Sequence, residues 1–328
     1  RSTGAFAATA RSLDNRQGRI EAGRLDVQVG GLDNRGGELI QTGGADARVA
    51  ITSATGSLDN RGGLIAVNGV NFSLSAPSLL NAGGRLLHAG SGNFGIDGAS
   101  LSGAGGLIQG NGSLRLDAGS VVLDGADTIA GRVHIGAADL SNRGGRIVHT
   151  GVEGMEIRAA GLFDNSGGSV VGNGDLHIAA GALQNSAGSL RSGGGAGLEV
   201  NVAGLLDNQA AGAILAGGSA RIAAGALANG GGQLGAGQDL AVDVVGTLDN
   251  AGGTISARQG LAVSAGRVDN RGGQIASVEG GVGVTAGEVL DNTRGRIEAA
   301  GLLVLSAPGL ANREGGVAGG AVQVRSLR

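Results

Sequence analysis

The sequence predicts an all-β protein, a parallel β-helix of about 15 coils with about 21 residues in each. Three observations favour this fold. A short phrase, Leu-x-Asn-x-x-Gly-x-aliphatic, recurs along nearly the whole chain, and an apolar–polar alternation follows each clear copy. The chain of 328 residues also contains only four aromatic residues, all Phe. Such a repeat indicates small coils that stack on their neighbours, because no single coil can bury its own core.

The asparagine of the phrase marks the register of the repeat. We predict that its side chains form a structural ladder along the stack, in which each amide bonds to the next and satisfies polar groups that a recurring bend would otherwise bury. The predicted ladder residues are Asn15, Asn34, Asn60, Asn81, Asn142, Asn165, Asn185, Asn208, Asn229, Asn250, Asn270, Asn292 and Asn312. Two degenerate copies, at Gly103 and Gly125, fill the gap in the middle of this series.

A glycine three residues after the asparagine is the second fixed element, as at Gly37, Gly63 and Gly253. A glycine at a constant step indicates either a backbone position with positive φ or a close approach to the next coil. Two residues further on stands an aliphatic side chain, such as Ile65 or Ile255, which we expect to face the core.

An alternating segment follows the turn, and residues 25–29 and 240–244 are clear examples. Alternation with a period of two predicts a β-strand with one buried face. Pro77 and Pro308 each stand four residues before a ladder asparagine, and Gly266 holds the equivalent place in another copy. Because proline and glycine share this position, the sequence predicts a turn there.

Composition excludes several classes of protein. The chain has no cysteine, so it has neither disulfides nor thiol chemistry. A net charge of −3 gives no electrostatic case for binding nucleic acid or an anionic membrane. No apolar run is long enough to predict a transmembrane helix. Because the chain starts at Arg1 without a methionine, we expect a single repeat domain over residues 1–328, cut from a longer chain.

The residue before the ladder asparagine is aspartate in 8 of 13 copies. A column of carboxylates could bind Ca²⁺ or act as a glycosidase pair. The alternative is a solvated edge in which each carboxylate pairs with an arginine two residues on, as Asp33 with Arg35 and Asp269 with Arg271. We favour the solvated edge, because catalysis needs one distinct constellation and a repeat supplies many equal ones. We predict no catalytic, cofactor or metal site.

The four histidines are His88, His134, His149 and His177. A metal site would require them to converge, and we instead expect exposed polar residues. His134 and His177 occupy polar positions of alternating segments and are expected to face outward. The glycine run at residues 193–195 predicts a turn rather than a phosphate loop, because neither a helix nor a lysine follows it.

Residues 92–141 are the most irregular part of the repeat, because the register asparagine is lost there twice. Either a recognition loop interrupts the stack, or the repeat has decayed and leaves a bulge or short loop, which we favour. The 26-residue interval between Asn34 and Asn60 is a second candidate for an insertion. Asn71 and Asn111 each fit the Asn-x-Ser pattern of a glycosylation acceptor.

The phrase Leu-Asp-Asn-Arg-Gly-Gly at residues 32–37 and 58–63 resembles the repeats of the filamentous haemagglutinin family, as do its variants at 140–145 and 268–273. Members of that family are large bacterial exoproteins of two-partner secretion systems, including adhesins and contact-dependent growth-inhibition effectors. The resemblance implies a right-handed parallel β-helix, export through an outer-membrane partner, and a filament that projects from the cell.

On this resemblance we expect a non-enzymatic structural shaft of a secreted, surface-exposed adhesin that mediates cell adhesion and needs no cofactor. The implied partners are an outer-membrane two-partner secretion transporter, through a region outside this chain, and a receptor or glycan on a host or bacterial surface. One alternative is the stalk of a contact-dependent growth-inhibition toxin effector. An alternative of another class is a polysaccharide-active or carbohydrate-binding β-helix, which the absence of Trp and Tyr disfavours. An acidic cluster in a groove would distinguish that last class.

Overall fold

The computed structural model describes residues 3–325, and its contacts divide the chain into two compact units, Arg1–Ala160 and Gly161–Arg328. The described residues contain strands and turns but no helix. Within each unit, strands pair in parallel with their equivalents one coil away, so the predicted all-β parallel coil stack is confirmed. The extent of a single domain over residues 1–328 stays a prediction.

The strands of the first unit are β1 (Ala5–Ala10), β2 (Leu13–Asp14), β3 (Arg19–Ala22), β4 (Arg24–Val29), β5 (Leu32–Asp33), β6 (Glu38–Gln41), β7 (Ala47–Ile51), β8 (Ser57–Asp59), β9 (Leu64–Val67), β10 (Phe72–Ser75), β11 (Ser78–Leu80), β12 (Arg85–His88), β13 (Asn93–Ser102), β14 (Leu107–Val122), β15 (Asp127–Ser141) and β16 (Arg146–His149). Strand β17 (Met155–Asp164) contains the point of division.

The strands of the second unit are β18 (Ser169–Gly172), β19 (Leu176–Gln184), β20 (Ser189–Ser192), β21 (Leu198–Asp207), β22 (Ala213–Ala216), β23 (Ala220–Ala228), β24 (Gln233–Ala236), β25 (Leu240–Asp249), β26 (Thr254–Ala257), β27 (Leu261–Asp269), β28 (Gln274–Ser277), β29 (Val282–Asp291), β30 (Arg296–Ala299), β31 (Leu302–Ser306), β32 (Gly309–Ala311), β33 (Gly316–Ala318) and β34 (Ala321–Arg325).

The core consists of aliphatic rows that run from coil to coil. In β25, Leu240, Val242 and Val244 point inward and are buried, while the residues between them are half-buried. Each pairs in register with its equivalent in β27, so like side chains stack on like. Burial on this scale stabilises a coil by roughly 1.5–3 kcal/mol for each fully buried aliphatic side chain.

The phrase Asn-x-x-Gly forms a β-turn before the short strand of most coils, and at Asn208 the turn is one residue longer, because the amide of Gly212 donates to the Gln209 carbonyl oxygen. In the copy at Asn34, the amide of Gly37 donates to the Asn34 carbonyl oxygen at 3.0 Å. The residue with positive φ is the one before the fixed glycine, here Gly36 at 60°. Of the two explanations for the fixed glycine, the close approach is therefore correct, and positive φ belongs to its neighbour.

The register of one degenerate copy differs from the prediction. In the coil of β15, Leu123 and not Gly125 holds the asparagine position, because the amide of Ala126 donates to the Leu123 carbonyl oxygen at 3.0 Å. Gly125 instead has the positive φ of 62° that belongs two residues after the register mark. The prediction for this copy is wrong because Leu123, which is buried and apolar, does not resemble the polar asparagine that marks the register elsewhere.

The proline-or-glycine position lies at a corner of the coil. At Pro77 the chain leaves β10 and starts β11 after a short break, as the predicted turn requires. At Gly266 the prediction of a turn is wrong, because β27 continues through the corner with a register shift between Ala265 and Arg267. Proline has no amide hydrogen to pair, whereas glycine keeps its amide and permits a bulge within a strand.

The irregular stretch carries no inserted loop. It consists of the long strands β13, β14 and β15, with one register shift between Gly110 and Ser113 where β14 pairs with β15. The expectation of a decayed repeat with a bulge is thus confirmed. The long interval between Asn34 and Asn60 is taken up by two short connections, residues 42–46 and 52–56.

Candidate functional site: the asparagine ladder and its neighbours

The ladder asparagines lie at the turn between the long and short strands, and the structure brings them into direct contact. In the second unit each Nδ2 donates to the Oδ1 of the next asparagine at 2.7 Å, through Asn165, Asn185, Asn208, Asn229, Asn250, Asn270, Asn292 and Asn312. In the first unit the same bonds, of 2.6–2.7 Å, join Asn15, Asn34, Asn60 and Asn81.

Most of the ladder amides also bind the backbone of two coils, and Asn250 is an example. Asn250 Nδ2 donates to the Gly253 carbonyl oxygen of its own turn at 3.3 Å, and to the Gln274 carbonyl oxygen of the next coil at 3.2 Å. Its Oδ1 accepts from Asn229. Because the side chain is fully buried, these bonds replace the water that the turn would otherwise need.

The first unit interrupts the ladder. After Asn81 the position is taken by Gly103 and then by Leu123, neither of which has a side-chain amide. The ladder position returns at Asn142, which is buried and whose Nδ2 donates to the Gly145 carbonyl oxygen of its own turn at 3.3 Å. The predicted residues therefore fall into separate runs of ladder.

Four of the eight aspartates before the asparagines have an arginine two residues on, and each of these four forms an ion pair with it. The closest N–O distances are 2.6 Å for Asp33 with Arg35 and 2.7 Å for Asp269 with Arg271, so the predicted pairing is confirmed at both sites. Arg35 also lies 3.6 Å from the Asp59 carboxylate of the next coil. The expectation of a solvated edge is wrong at Asp59 and Asp164, which are buried because the neighbouring coil covers the turn.

Each carboxylate is further fixed by the backbone. Asp14 Oδ1 accepts the amide hydrogen of Arg16 at 3.1 Å, and the Arg16 guanidinium lies 2.6 Å from Oδ2. These hydrogen bonds, the guanidinium bond foremost, lower the pKa of Asp14 from 3.8 to about 2. Asp14 is thus held in its ionised form beside Arg16, and the two groups do not form the pair of carboxyl groups that acid–base catalysis would need.

We expect the Arg16→Gln substitution to raise the pKa of Asp14 toward 3.8 without reaching it, because the backbone hydrogen bond remains. The native carboxylate stabilises the folded state above pH 3.8, and this contribution is lost as the pH falls toward 2. Carboxyl carbon chemical shifts measured across this range check the prediction. Arg35→Gln serves as the control, since Arg35 lowers the pKa of Asp14 only weakly, through its charge alone. A pKa that stays near 2 in Arg16→Gln would contradict the assignment.

A second polar column lies at the end of the short strand, and sequence reasoning missed it. Its members are buried polar side chains: Gln41, His88, His149, Ser192 and Ser277. All of them except His149 form a hydrogen bond to backbone through the side chain. Gln41 Oε1 accepts the Leu25 amide at 2.7 Å, and Ser192 Oγ donates to the Ala196 carbonyl oxygen at 2.9 Å. The available signal was alternation, because each of these residues stands two positions after a buried aliphatic one.

The histidines divide into two pairs. The expectation of exposure is wrong for His88 and His149, which are 2% and 0% exposed. His134 and His177 do lie on the outer face as predicted, where their rings pair with Glu156 at 3.0 Å and Glu199 at 3.2 Å. Among residues 3–325, no group of three or more His, Asp or Glu side chains could hold a metal ion.

The remaining sequence candidates have local roles. The glycine run closes a turn as predicted, since the Ala196 amide donates to the Gly193 carbonyl oxygen at 2.9 Å. Asn71 Nδ2 donates to Asp46 at 3.1 Å, and Asn111 Nδ2 donates to the Ala89 carbonyl oxygen at 2.8 Å, so both amides of the acceptor patterns bind a neighbouring coil.

A shallow groove of about 400 Å³ lies along the starts of β23, β25 and β27 in the second unit. Its lining is mostly apolar and includes Leu240, Ala241 and Leu261, with Asp239 as its carboxylate. The Asp239 side chain accepts the Gly260 amide at 2.8 Å, which caps the adjacent coil. The groove thus lacks the paired acids of a glycoside hydrolase.

The haemagglutinin repeat family model matches the chain in seven overlapping segments, at residues 1–62, 52–95, 82–167, 156–210, 196–252, 240–306 and 277–326. The chain belongs to the haemagglutinin repeat family. No curated protein and no solved structure matches it.

The haemagglutinin repeats coincide with the coils described above. The matched segments cover both units, including the stretch in which the asparagine ladder is interrupted. Family membership therefore extends to coils that lack the register asparagine. In the part of the chain that the structure describes, no helix is long and apolar enough to cross a membrane.

Proposed function

We propose that this chain is the structural shaft of a secreted, surface-exposed filamentous haemagglutinin-like adhesin, and that its parent protein mediates cell adhesion. The observation that carries the proposal is repetition: haemagglutinin repeats match almost the whole chain, and each unit stacks equivalent coils through equivalent turns. A site for catalysis would instead require one coil to differ chemically from the others.

Export fits the energetics of such a stack. Each coil contacts only its neighbours, so folding can start at one coil and add the next as the chain emerges. The proposed partner for export is an outer-membrane two-partner secretion transporter, which would act through a region outside this chain. The proposed distal partner is a receptor or glycan on a host or bacterial surface.

Surface labelling tests the location. Antibodies against this segment are expected to bind intact cells of the source bacterium, and deletion of the cognate transporter gene should abolish that labelling while leaving the protein detectable in lysed cells. Labelling only after lysis in the parent strain would contradict export.

The shaft function is tested by shortening the stack in register. Deleting residues 209–250 removes two coils and joins Asn208 to Ala251, which restores the sequence Asn-x-x-Gly at the turn. We expect this deletion to preserve export and adhesion. The control deletion, residues 209–239, joins Asn208 to Leu240 and destroys the turn, so export should fail. Loss of adhesion in the in-register deletion, with normal surface labelling, would assign binding to the deleted coils.

Contact-dependent growth inhibition is the second candidate for the parent protein, because the same family of repeats serves as its stalk. Co-culture with a strain that lacks the parent gene separates the two functions. An adhesin leaves the neighbour's growth unchanged, whereas a toxin stalk reduces it only when the cells touch.

A further inference from the structure

His149 is a buried titratable group that the proposed shaft function does not use. It is the last residue of β16 and has no exposed surface. Neither ring nitrogen has a hydrogen-bond partner. The Gly131 carbonyl oxygen, which lies near the ring, already accepts the amide hydrogen of Gly151 at 3.0 Å.

His88 occupies the equivalent position in an earlier coil, and one of its two ring nitrogens has a hydrogen-bond partner there. Its Nε2 donates to the Gly69 carbonyl oxygen at 3.0 Å. Its ring also lies 5.7 Å from the Phe94 ring and 6.4 Å from the Phe72 ring. His149 has none of these aromatic neighbours, so a proton on its ring would gain no contact with a π face, and the nearby Gly131 carbonyl oxygen would be its acceptor.

The charged side chains near His149 would offset little of the cost of placing a proton on its buried ring. The two charged side chains that act on it are Arg132 and Glu153, which pair with each other at 3.1 Å and are both more than half exposed. Burial lowers the pKa of His149 below its ordinary value of 6.5, against a smaller raising influence from the Gly131 carbonyl. The folded state therefore prefers the neutral ring.

The coils of β15 and β16, beside His149, are also not joined by a ladder bond between asparagine side chains. Strand β16 pairs with β15, whose preceding turn contains Leu123 in place of a ladder asparagine. Within the core of β15, Thr128 is buried in an aliphatic row, and its Oγ1 has no hydrogen-bond partner. Local opening of these coils exposes buried polar groups to water and so recovers hydration that the folded state withholds.

We propose that β15 and β16 form an acid-sensitive segment of the stack, which opens locally when His149 takes up a proton. This inference goes beyond the proposed shaft function and does not depend on it. At a pH between the pKa of His149 in the folded state and its ordinary pKa, the opened state binds one proton more than the closed state. Opening is therefore increasingly favoured as the pH falls from 6.5 toward the lowered pKa of His149 in the folded state, by at most about tenfold per pH unit.

Hydrogen exchange on the whole chain tests the proposal, at pH 7.5, 6.5, 5.5 and 5.0 and corrected for the intrinsic pH dependence of exchange. The amides of residues 146–150 are expected to lose protection progressively as the pH falls below about 6.5, by up to about tenfold per pH unit, while those of β26 keep theirs. The aspartate–arginine pairs do not interfere, because the lowered pKa values of Asp14 and Asp33 place their titration below this range.

Three variants make the outcome specific to His149. His149→Val, with the residue that β9 carries at this position (Val67), is expected to abolish the pH dependence and to remain folded. His149→Gln provides the same test with the side chain of Gln41, should the valine variant fold poorly. His177→Ala, at an exposed histidine, should behave like the parent. A parent protein with constant protection, or a His149→Val or His149→Gln variant with the parental slope, would overturn the proposal.

Discussion

Replacing Gly253 with alanine is expected to lower the free energy of unfolding by about 3 kcal/mol, near the upper end of the range for overpacking a filled site. A Cβ atom there would lie 2.1 Å from the Asn229 carbonyl oxygen and 2.6 Å from Asn250 Oδ1. The first contact is with backbone and the second with a buried ladder amide, so relief requires the coils to separate or the ladder bond to break. Denaturant midpoints and hydrogen exchange near this turn measure the effect.

Two other glycines, one adjacent in the same turn and one in β29, provide matched controls. Gly252 has a φ of 65°, but its Cβ would meet no atom within 4 Å. Gly252→Ala should therefore cost only about 1 kcal/mol of backbone strain, and Ala187 already adopts such a φ at the equivalent position. Gly283 has open space and no positive φ, so Gly283→Ala should change stability by less than about 0.5 kcal/mol. Equal losses in all three variants would contradict the crowding argument.

The repeat contains its own precedent for this coupling. The coil with Leu123 in the asparagine position has Ala126 in the fixed-glycine position, and Ala126 is buried there. In that coil the ladder amide is missing and a Cβ is accommodated. In the other coil without the amide, a Cβ at Gly106 would still lie 2.6 Å from the Asn81 carbonyl oxygen of the preceding coil. Both the ladder amide and the coil beneath therefore restrict this position.

Replacing Asn250 with leucine is expected to destabilise the protein by roughly 1–3 kcal/mol, the cost of leaving buried polar groups unsatisfied. Leucine cannot accept from Asn229 Nδ2 or donate to Asn270 Oδ1, which lie at 2.7 Å in the native ladder. The backbone carbonyls that Asn250 contacts lose one of their donors as well. Asn270→Ala should cost a similar amount, for the same reason.

The control for the ladder is Asn201, an exposed asparagine whose amide donates to Glu199 at 3.0 Å. Asn201→Ala should change stability by no more than about 0.5 kcal/mol. Because a coil stack can unfold in stages, the effect of Asn250→Leu should be read both from the denaturant midpoint and from hydrogen exchange in β24, β26 and β28. If the leucine variant keeps parental protection in those strands, the ladder does not stabilise the stack.

Local pattern predicted much of this structure because each coil is short. The phrase Asn-x-x-Gly defines a four-residue turn, and alternation defines which side chains face inward, so the repeat and the aliphatic core followed from the sequence. The pairing of Asp33 with Arg35 was predictable for the same reason, since both partners lie within one turn.

Other features depended on residues about 20 positions apart. The sequence offered two explanations for the fixed glycine, and only the Asn229 carbonyl oxygen of the preceding coil selects the close approach at Gly253. Asp59 is buried because an adjacent coil covers it, although its own sequence context matches that of exposed Asp14. His88 and His149 face the core because they continue the alternation of buried aliphatic residues, a signal that their polar character concealed.

By itself, the sequence determined the class of fold, the period of the stack and the membership of a repeat family, since all three follow from one phrase that recurs along the chain. Only the tertiary structure decided where the asparagine ladder is continuous, that Leu123 takes its place in one coil, and that His149 is buried without a partner. The physical reason is that burial and hydrogen-bond satisfaction are set by the coil above and the coil below, which a linear pattern does not measure.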